Sequence, residues 1–260
     1  MFLFILCSGN KPRNQDPIPN HDSFKIESEH VSETRVINVW TPPSYENVNR
    51  SFPVLYMPDG GIKEDFPHIA NTIAKLVQEN SIPPIILVGI ENTERRRDLT
   101  GASEVSKDAK YCPLTDGAKN FRTFITEELF PEVSKRYRIT NKKGIIGESL
   151  SGLFVMETFM QKPKSFDFYI AMDPSLWWNN HYLVKNAHTL LEKFPSSEIK
   201  LWFAGSSVKD ISKHTNKLAK FLISDSPNEL KWKYSAEPKE KHNTIFRATK
   251  EKALKWILNE

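Results

Sequence analysis

One nine-residue stretch constrains this chain more than any other: Gly144-Ile145-Ile146-Gly147-Glu148-Ser149-Leu150-Ser151-Gly152. An apolar, strand-like run passes without a spacer into a helical pattern over Ser149–Gln161, and a serine stands at the junction. So tight a reversal needs small residues two positions before and after that serine. Gly147 meets the first demand. Ser151 stands where the pattern most often has glycine, and it is still small enough for a close strand–helix crossing. The junction places Ser149 at a helix N-terminus, where unpaired N–H groups and the helix dipole stabilise negative charge. Two readings are open: a serine nucleophile on a strained turn, or the N-cap of an ordinary helix.

The elements around it alternate. Ser23–Ser28 and Arg35–Trp40 flank a polar turn, as in a hairpin. Pro53–Met57, Ile85–Gly89, Gly144–Gly147, Phe168–Met172, Lys200–Ala204 and Leu230–Ala236 read as further short strands. Between them lie helical patterns: Ile69, Ile73, Ala74 and Val77; then Phe121, Phe124, Ile125, Leu129, Val133 and Tyr137; then Tyr182–Phe194, Ile211–Ile223 and Thr249–Leu258. Alternation of this kind implies βαβ crossovers, so the expected class is α/β: a mostly parallel sheet, helices on both faces and an antiparallel N-terminal hairpin at one edge. A loop from Glu91 to Gly117 exceeds the usual length of about 12–15 residues and is expected to carry function. One domain over 23–260 is expected, preceded by a tail over 1–22.

If Ser149 is the nucleophile, partners follow from the chain order nucleophile, acid, base. His242 follows the last strand and precedes the terminal helix, which makes it the expected base. His214 lies in a Lys-rich helix and is expected on the surface. The acid is sought after Lys200–Ala204, where Asp210 is the carboxylate at hand; it is equally placed to cap the helix beginning at Ile211. Glu240 is the reserve, and a Ser–His pair without an acid is a third option. The backbone N–H of Leu150 would be one oxyanion donor, and Gly60 or Gly61, after strand Pro53–Met57, the other. No His-x-x-x-His spacing, Cys–His cluster, phosphate loop or dinucleotide fingerprint is present, so neither metal nor cofactor is expected.

These residues carry a resemblance. Val54–Gly60, Phe124–Arg138, Ile145–Phe154 and Asp173-Pro174-Ser175-Leu176-Trp177-Trp178 resemble the esterase branch of the α/β-hydrolase superfamily. That branch includes ferri-siderophore, feruloyl and acetyl esterases, S-formylglutathione hydrolase and mycolyltransferases. The resemblance implies an α/β-hydrolase fold, Ser149 as nucleophile and His242 as base. The family's acid position falls on Val208 here, and some siderophore-esterase relatives work with a Ser–His pair. The implied activity is hydrolysis of a small-molecule carboxylic ester through an acyl-enzyme. Acyl transfer, peptidase chemistry, or binding without catalysis on the same fold are the alternatives. Trp177 and Trp178 are expected to wall an acyl or catechol pocket, and an arginine of Arg95-Arg96-Arg97, Arg97 in particular, to meet an acidic substrate group.

Composition narrows the partners. The 36 Lys and Arg against 32 Asp and Glu are scattered and form no basic stripe, which argues against nucleic acid. No apolar run reaches 18 residues, so no membrane-spanning helix is expected. Two cysteines make no disulfide framework. Met1–Leu6 followed by Cys7 looks like the end of a secretory or lipoprotein signal, which would place the chain in the cell envelope with a lipid anchor at Cys7; read as a plain apolar tail, it leaves a cytoplasmic chain. Glycine is scarce, ten in 260 residues, and seven of the ten fall at strand ends or around Ser149.

Overall fold

Short apolar runs rich in Val, Ile and Leu become strands because branched side chains pack well on a pleated surface that is covered on both sides. The structure, a computed structural model, describes residues 16–259. Within them β1 (Asp22–Ser28), β2 (Glu33–Trp40), β3 (Phe52–Pro58), β4 (Ile86–Ile90), β5 (Ile139–Glu148), β6 (Phe168–Met172), β7 (Ile199–Gly205) and β8 (Leu230–Ala236) form one sheet in the order β1-β2-β4-β3-β5-β6-β7-β8. The β1–β2 and β2–β4 pairings are antiparallel and the rest parallel. Strand order reverses between β3 and β5, and such a switch point opens a crevice beyond the strands' carboxyl ends.

Alternation sorts the apolar residues into two layers. Val54, Tyr56, Ile145, Tyr169 and Phe203 join one core cluster, while Leu55, Met57, Ile146, Ile170 and Trp202 join the other. Helix α1 (Phe66–Gln78) and the terminal helix cover the second layer. The short α2 (Arg95–Asp98) lies in the long loop after β4. Helices α3 (Gly117–Thr123) and α4 (Phe130–Arg136) cover the first layer, joined by a wider π turn at Phe124–Leu129. The single regular helix expected there is thus interrupted, next to Pro131, whose ring removes a backbone donor. Helix α5 (Leu150–Gln161) is buried nearly throughout.

The expected helix Tyr182–Phe194 is two short pieces, α6 (Trp178–Lys185) and α7 (Ala187–Leu191). Asn179, Asn180 and His181 take left-handed φ values of 48–51° there, a run that helical periodicity does not anticipate. Helices α8 (Lys209–Asp225) and α9 (Ile245–Asn259) complete the chain. Of the stretch expected as a tail, the described part is held: Asp16 pairs with Arg247 and the Pro17 carbonyl accepts a hydrogen bond from Asn71. Cys7 lies outside the described residues.

His214 departs from expectation. It is only 4% exposed, because it shares the inward stripe of α8 with Ile211, Thr215, Leu218 and Leu222. Its ring stacks on His181 with centroids 4.7 Å apart. Burial, with His181 and Lys213 adding to it, lowers its pKa from 6.5 to about 4. The unfolded chain therefore binds more protons at this site between those values. Stability from this site is complete above pH 6.5 and is lost as pH falls toward 4. Thermal melts across that window are expected to show a falling midpoint, and His214→Asn should flatten the slope; an unchanged slope would assign the effect to other groups.

Candidate active site

Three neighbouring strands end on residues with positive φ: Asp59 after β3 (58°), Ser149 after β5 (60°) and Asp173 after β6 (46°). Backbone strain of this kind costs about 1–3 kcal/mol per residue and clusters at functional sites. Ser149 also has ψ −115°, far from any helical value, so the chain reverses sharply between β5 and α5. Gly147 permits the reversal: a Cβ there would lie 2.5 Å from the Ser151 carbonyl carbon. The Ser149 N–H bonds the Met172 carbonyl at 3.0 Å, which ties the turn to β6.

The reversal presents the Ser149 hydroxyl to His242, whose Nε2 is 3.0 Å from Oγ. His242 Nδ1 lies 2.6 Å from Asp173 Oδ2. The Asp173 side chain is fully buried, and its other oxygen accepts the Ser206 N–H at 2.7 Å. The serine and histidine singled out in the sequence are thus brought together, but the expected acid is corrected. Asp210 is exposed on the first turn of α8, where its charge acts on His214. It does not cap the helix either, since Val208 is the N-cap residue. The loop after β7 contributes an N–H to the acid, from Ser206, in place of a carboxylate. Glu240 is engaged with Thr244 Oγ1 at 2.7 Å.

Asp173 carried a signal that chain order alone did not single out. It keeps the order serine, acid, histidine, and it ends the strand next to the one that carries Ser149. Two bonds draw the histidine loop over it: the Ser207 N–H to the Glu240 carbonyl and the Glu237 N–H to the Gly205 carbonyl, both 2.8 Å.

The surroundings of His242 shift its titration upward. Burial works against the charge, but the Asp173 hydrogen bond and the negative charges of Glu148 and Asp173 outweigh burial and the nearby Arg95, raising the pKa above 6.5.

The expected oxyanion donors divide. The Leu150 N–H opens α5 and has no partner among the described residues. The glycine amides are committed elsewhere: Gly60 N–H to the Ile90 carbonyl at 2.9 Å, and Gly61 N–H to Glu64 Oε2 at 2.7 Å. The cause is the close approach of β3's end to β4, where a Cβ on Gly60 would overlap the backbone of Gly89 and Ile90. The next amide in the turn, Ile62, has no partner among the described residues.

The arginine and tryptophan expectations also resolve unequally. Arg97 is spent on Glu33 (2.6 Å) and Asp98 (2.8 Å). Arg95 is the one near His242: it holds Asp59 with Nε and Nη2 at 2.5 and 2.7 Å, and its charge is felt by His242. Trp178 is core, 4% exposed, its indole N–H bonded to the Gly101 carbonyl at 3.0 Å. Trp177 is half-buried and meets exposed Tyr111, from the long loop, edge-on at 5.1 Å. Only side-chain packing separates adjacent tryptophans in this way. Among the described residues no cluster of three or more His, Cys, Asp or Glu could hold a metal ion, and no helix is long and apolar enough to cross a membrane.

A doubly covered, mostly parallel sheet with a serine on the turn between β5 and α5 defines the α/β-hydrolase fold. The chain belongs to the family described as Putative esterase, whose model matches residues 28–252. It is 31% identical over 186 residues to the ferri-bacillibactin esterase BesA of Bacillus subtilis, a match covering 66% of this chain and 64% of that protein. It is 28% identical over 158 residues to the apo-salmochelin esterase of Escherichia coli, covering 56% of this chain and 49% of that one. The chain thus spans less than two thirds of the length of these relatives. Its fold matches an IroE-like serine hydrolase from Shewanella oneidensis with a TM-score of 0.85 at 25% identity, covering 92% of this chain and 80% of that one.

Proposed function

We propose that the chain is a serine ester hydrolase that cleaves siderophore esters through an acyl-enzyme. The observation that carries this reading is the hydrogen-bonded line Ser149–His242–Asp173 at the sheet's switch point. Asp173 keeps the Nδ1 proton of His242, which leaves Nε2 as acceptor toward Ser149. His242 takes the hydroxyl proton as Ser149 Oγ attacks the ester carbon. The Leu150 amide receives the developing oxyanion, and the unpartnered Ile62 amide is the candidate second donor. The imidazolium then protonates the departing alcohol. Water, deprotonated by His242, releases the acid and restores Ser149.

The substrate class comes from the relatives, two of which are named for siderophore cleavage. The Trp177–Tyr111 pair supports it, since an edge-to-face pair with one ring exposed suits an aryl acyl group. The test is product analysis on ferric and iron-free catecholate triesters beside short acyl and feruloyl esters, with and without added alcohol acceptors. Stepwise release of free acid from the triester is the expected result. Turnover of short esters alone would overturn the substrate class, and acyl transfer to the added alcohol in place of free acid would overturn hydrolysis.

A further inference from the structure

The serine that replaces glycine in the elbow has a place in the site. Ser151 is 1% exposed, and its Oγ accepts the N–H of Glu148, the residue just before Ser149, at 3.0 Å. The same oxygen is 2.8 Å from Asp59 Oδ2 and 2.9 Å from the Glu148 carbonyl. A hydroxyl has one proton to give, and an ionised carboxylate is the stronger acceptor. Burial opposes the charge on Asp59, but Arg95, Asn92 and Ser151 outweigh it and hold the carboxyl below its usual range. Asp59 in turn leads directly into Gly60-Gly61-Ile62, the turn opposite the nucleophile.

We propose that Ser151 is a positioning residue: its hydroxyl fixes the distance between the nucleophile turn and the oxyanion turn after β3. The bridge runs from the Glu148 N–H through Ser151 Oγ to Asp59, which is clamped from the far side by Arg95 and by Asn92 Nδ2 at 2.6 Å. Glycine at this position would remove the hydroxyl that joins the Glu148 N–H to Asp59 Oδ2, leaving Asp59 held by Arg95 and Asn92 alone. Gly147 supplies the room, because its missing Cβ would lie 2.9 Å from Ser151 Cβ. Oxyanion donors act through preorganisation, so a loosened bridge weakens transition-state binding and leaves ground-state binding in place.

The proposal rests on Ser149 as nucleophile and is tested with Ser151→Ala, which keeps Cβ and favours the helix. The expected result on a chromogenic acetate ester is a loss of about 10–100-fold in kcat, with KM within about twofold. Affinity for an alkyl boronic acid, whose tetrahedral adduct needs the oxyanion donors, should fall in parallel, while affinity for the product alcohol stays. Asp59→Asn tolerates the positive φ, and its loss should combine less than additively with that of Ser151→Ala. Wild-type kcat in Ser151→Ala, equal loss of boronate and alcohol binding, or strict additivity would each overturn the proposal. A wild-type chain without esterase turnover would overturn the parent reading and this one together; an active wild type with an equally active Ser151→Ala would overturn this one alone.

Discussion

Ser149→Ala is expected to abolish covalent labelling by a fluorophosphonate and to lower ester kcat on the order of 10^5-fold or more, since removing a nucleophile disables the whole triad. The far-UV spectrum should not change, because alanine fills the same space on the turn. A second variant separates catalysis from strain. The φ of 60° at Ser149 penalises any residue with a Cβ, so Ser149→Ala keeps the penalty and Ser149→Gly removes it. Relief of about 1–3 kcal/mol exceeds the roughly 0.5–1 kcal/mol that glycine costs through unfolded-state entropy. Ser149→Gly should therefore be inactive yet melt about 2–4 °C above Ser149→Ala. Retained labelling in both variants would remove Ser149 from the chemistry. A lower midpoint in the glycine variant would show that the turn is not strained.

Asp173→Asn should lower kcat by about 10^3–10^4-fold at little cost to KM, because the amide keeps the shape but presents the wrong partner to Nδ1 and misorients the histidine. The pH profile carries an independent sign. His242 acts as a base only when neutral, so kcat/KM rises with pH through its pKa, which lies above 6.5 in the intact site. Asp173 raises that pKa through its hydrogen bond and its charge, so Asp173→Asn should move the acid limb to lower pH. Asp210→Asn should leave both the rate and the limb as in the wild type, since that side chain is exposed on α8 and away from the histidine. The opposite pattern, with Asp210→Asn crippled and Asp173→Asn active, would return the acid to the loop after β7.

Much of the architecture was legible without coordinates. All eight strands overlap runs that the sequence marks as strand-like, and the parallel arrangement follows from helices set between them. Departures occur where local preference was overruled. The helix expected over Tyr182–Phe194 breaks at Asn186 between α6 and α7, and the π turn at Phe124–Leu129 widens a helix whose apolar stripe reads as regular. His214 reads as surface from the lysines around it, yet its position on the 211–215–218–222 stripe decides its burial.

Within the candidate site, Ser149 and His242 were singled out by the sequence alone, the first by a strand that turns into a helix with no spacer, the second by its place between the last strand and the last helix. Both are local or ordinal properties. Which carboxylate reaches Nδ1 depends on which strand end lies beneath the histidine loop, and sheet order set Asp173 there while α8 carried Asp210 away. Pairing decided the rest. Arg97 was taken up by Glu33 and Asp98, the amides of Gly60 and Gly61 by Ile90 and Glu64, and Trp178 by the core. Arg95 and the Ser151 bridge stand at the site because distant segments meet there, and adjacency in sequence holds no record of that meeting.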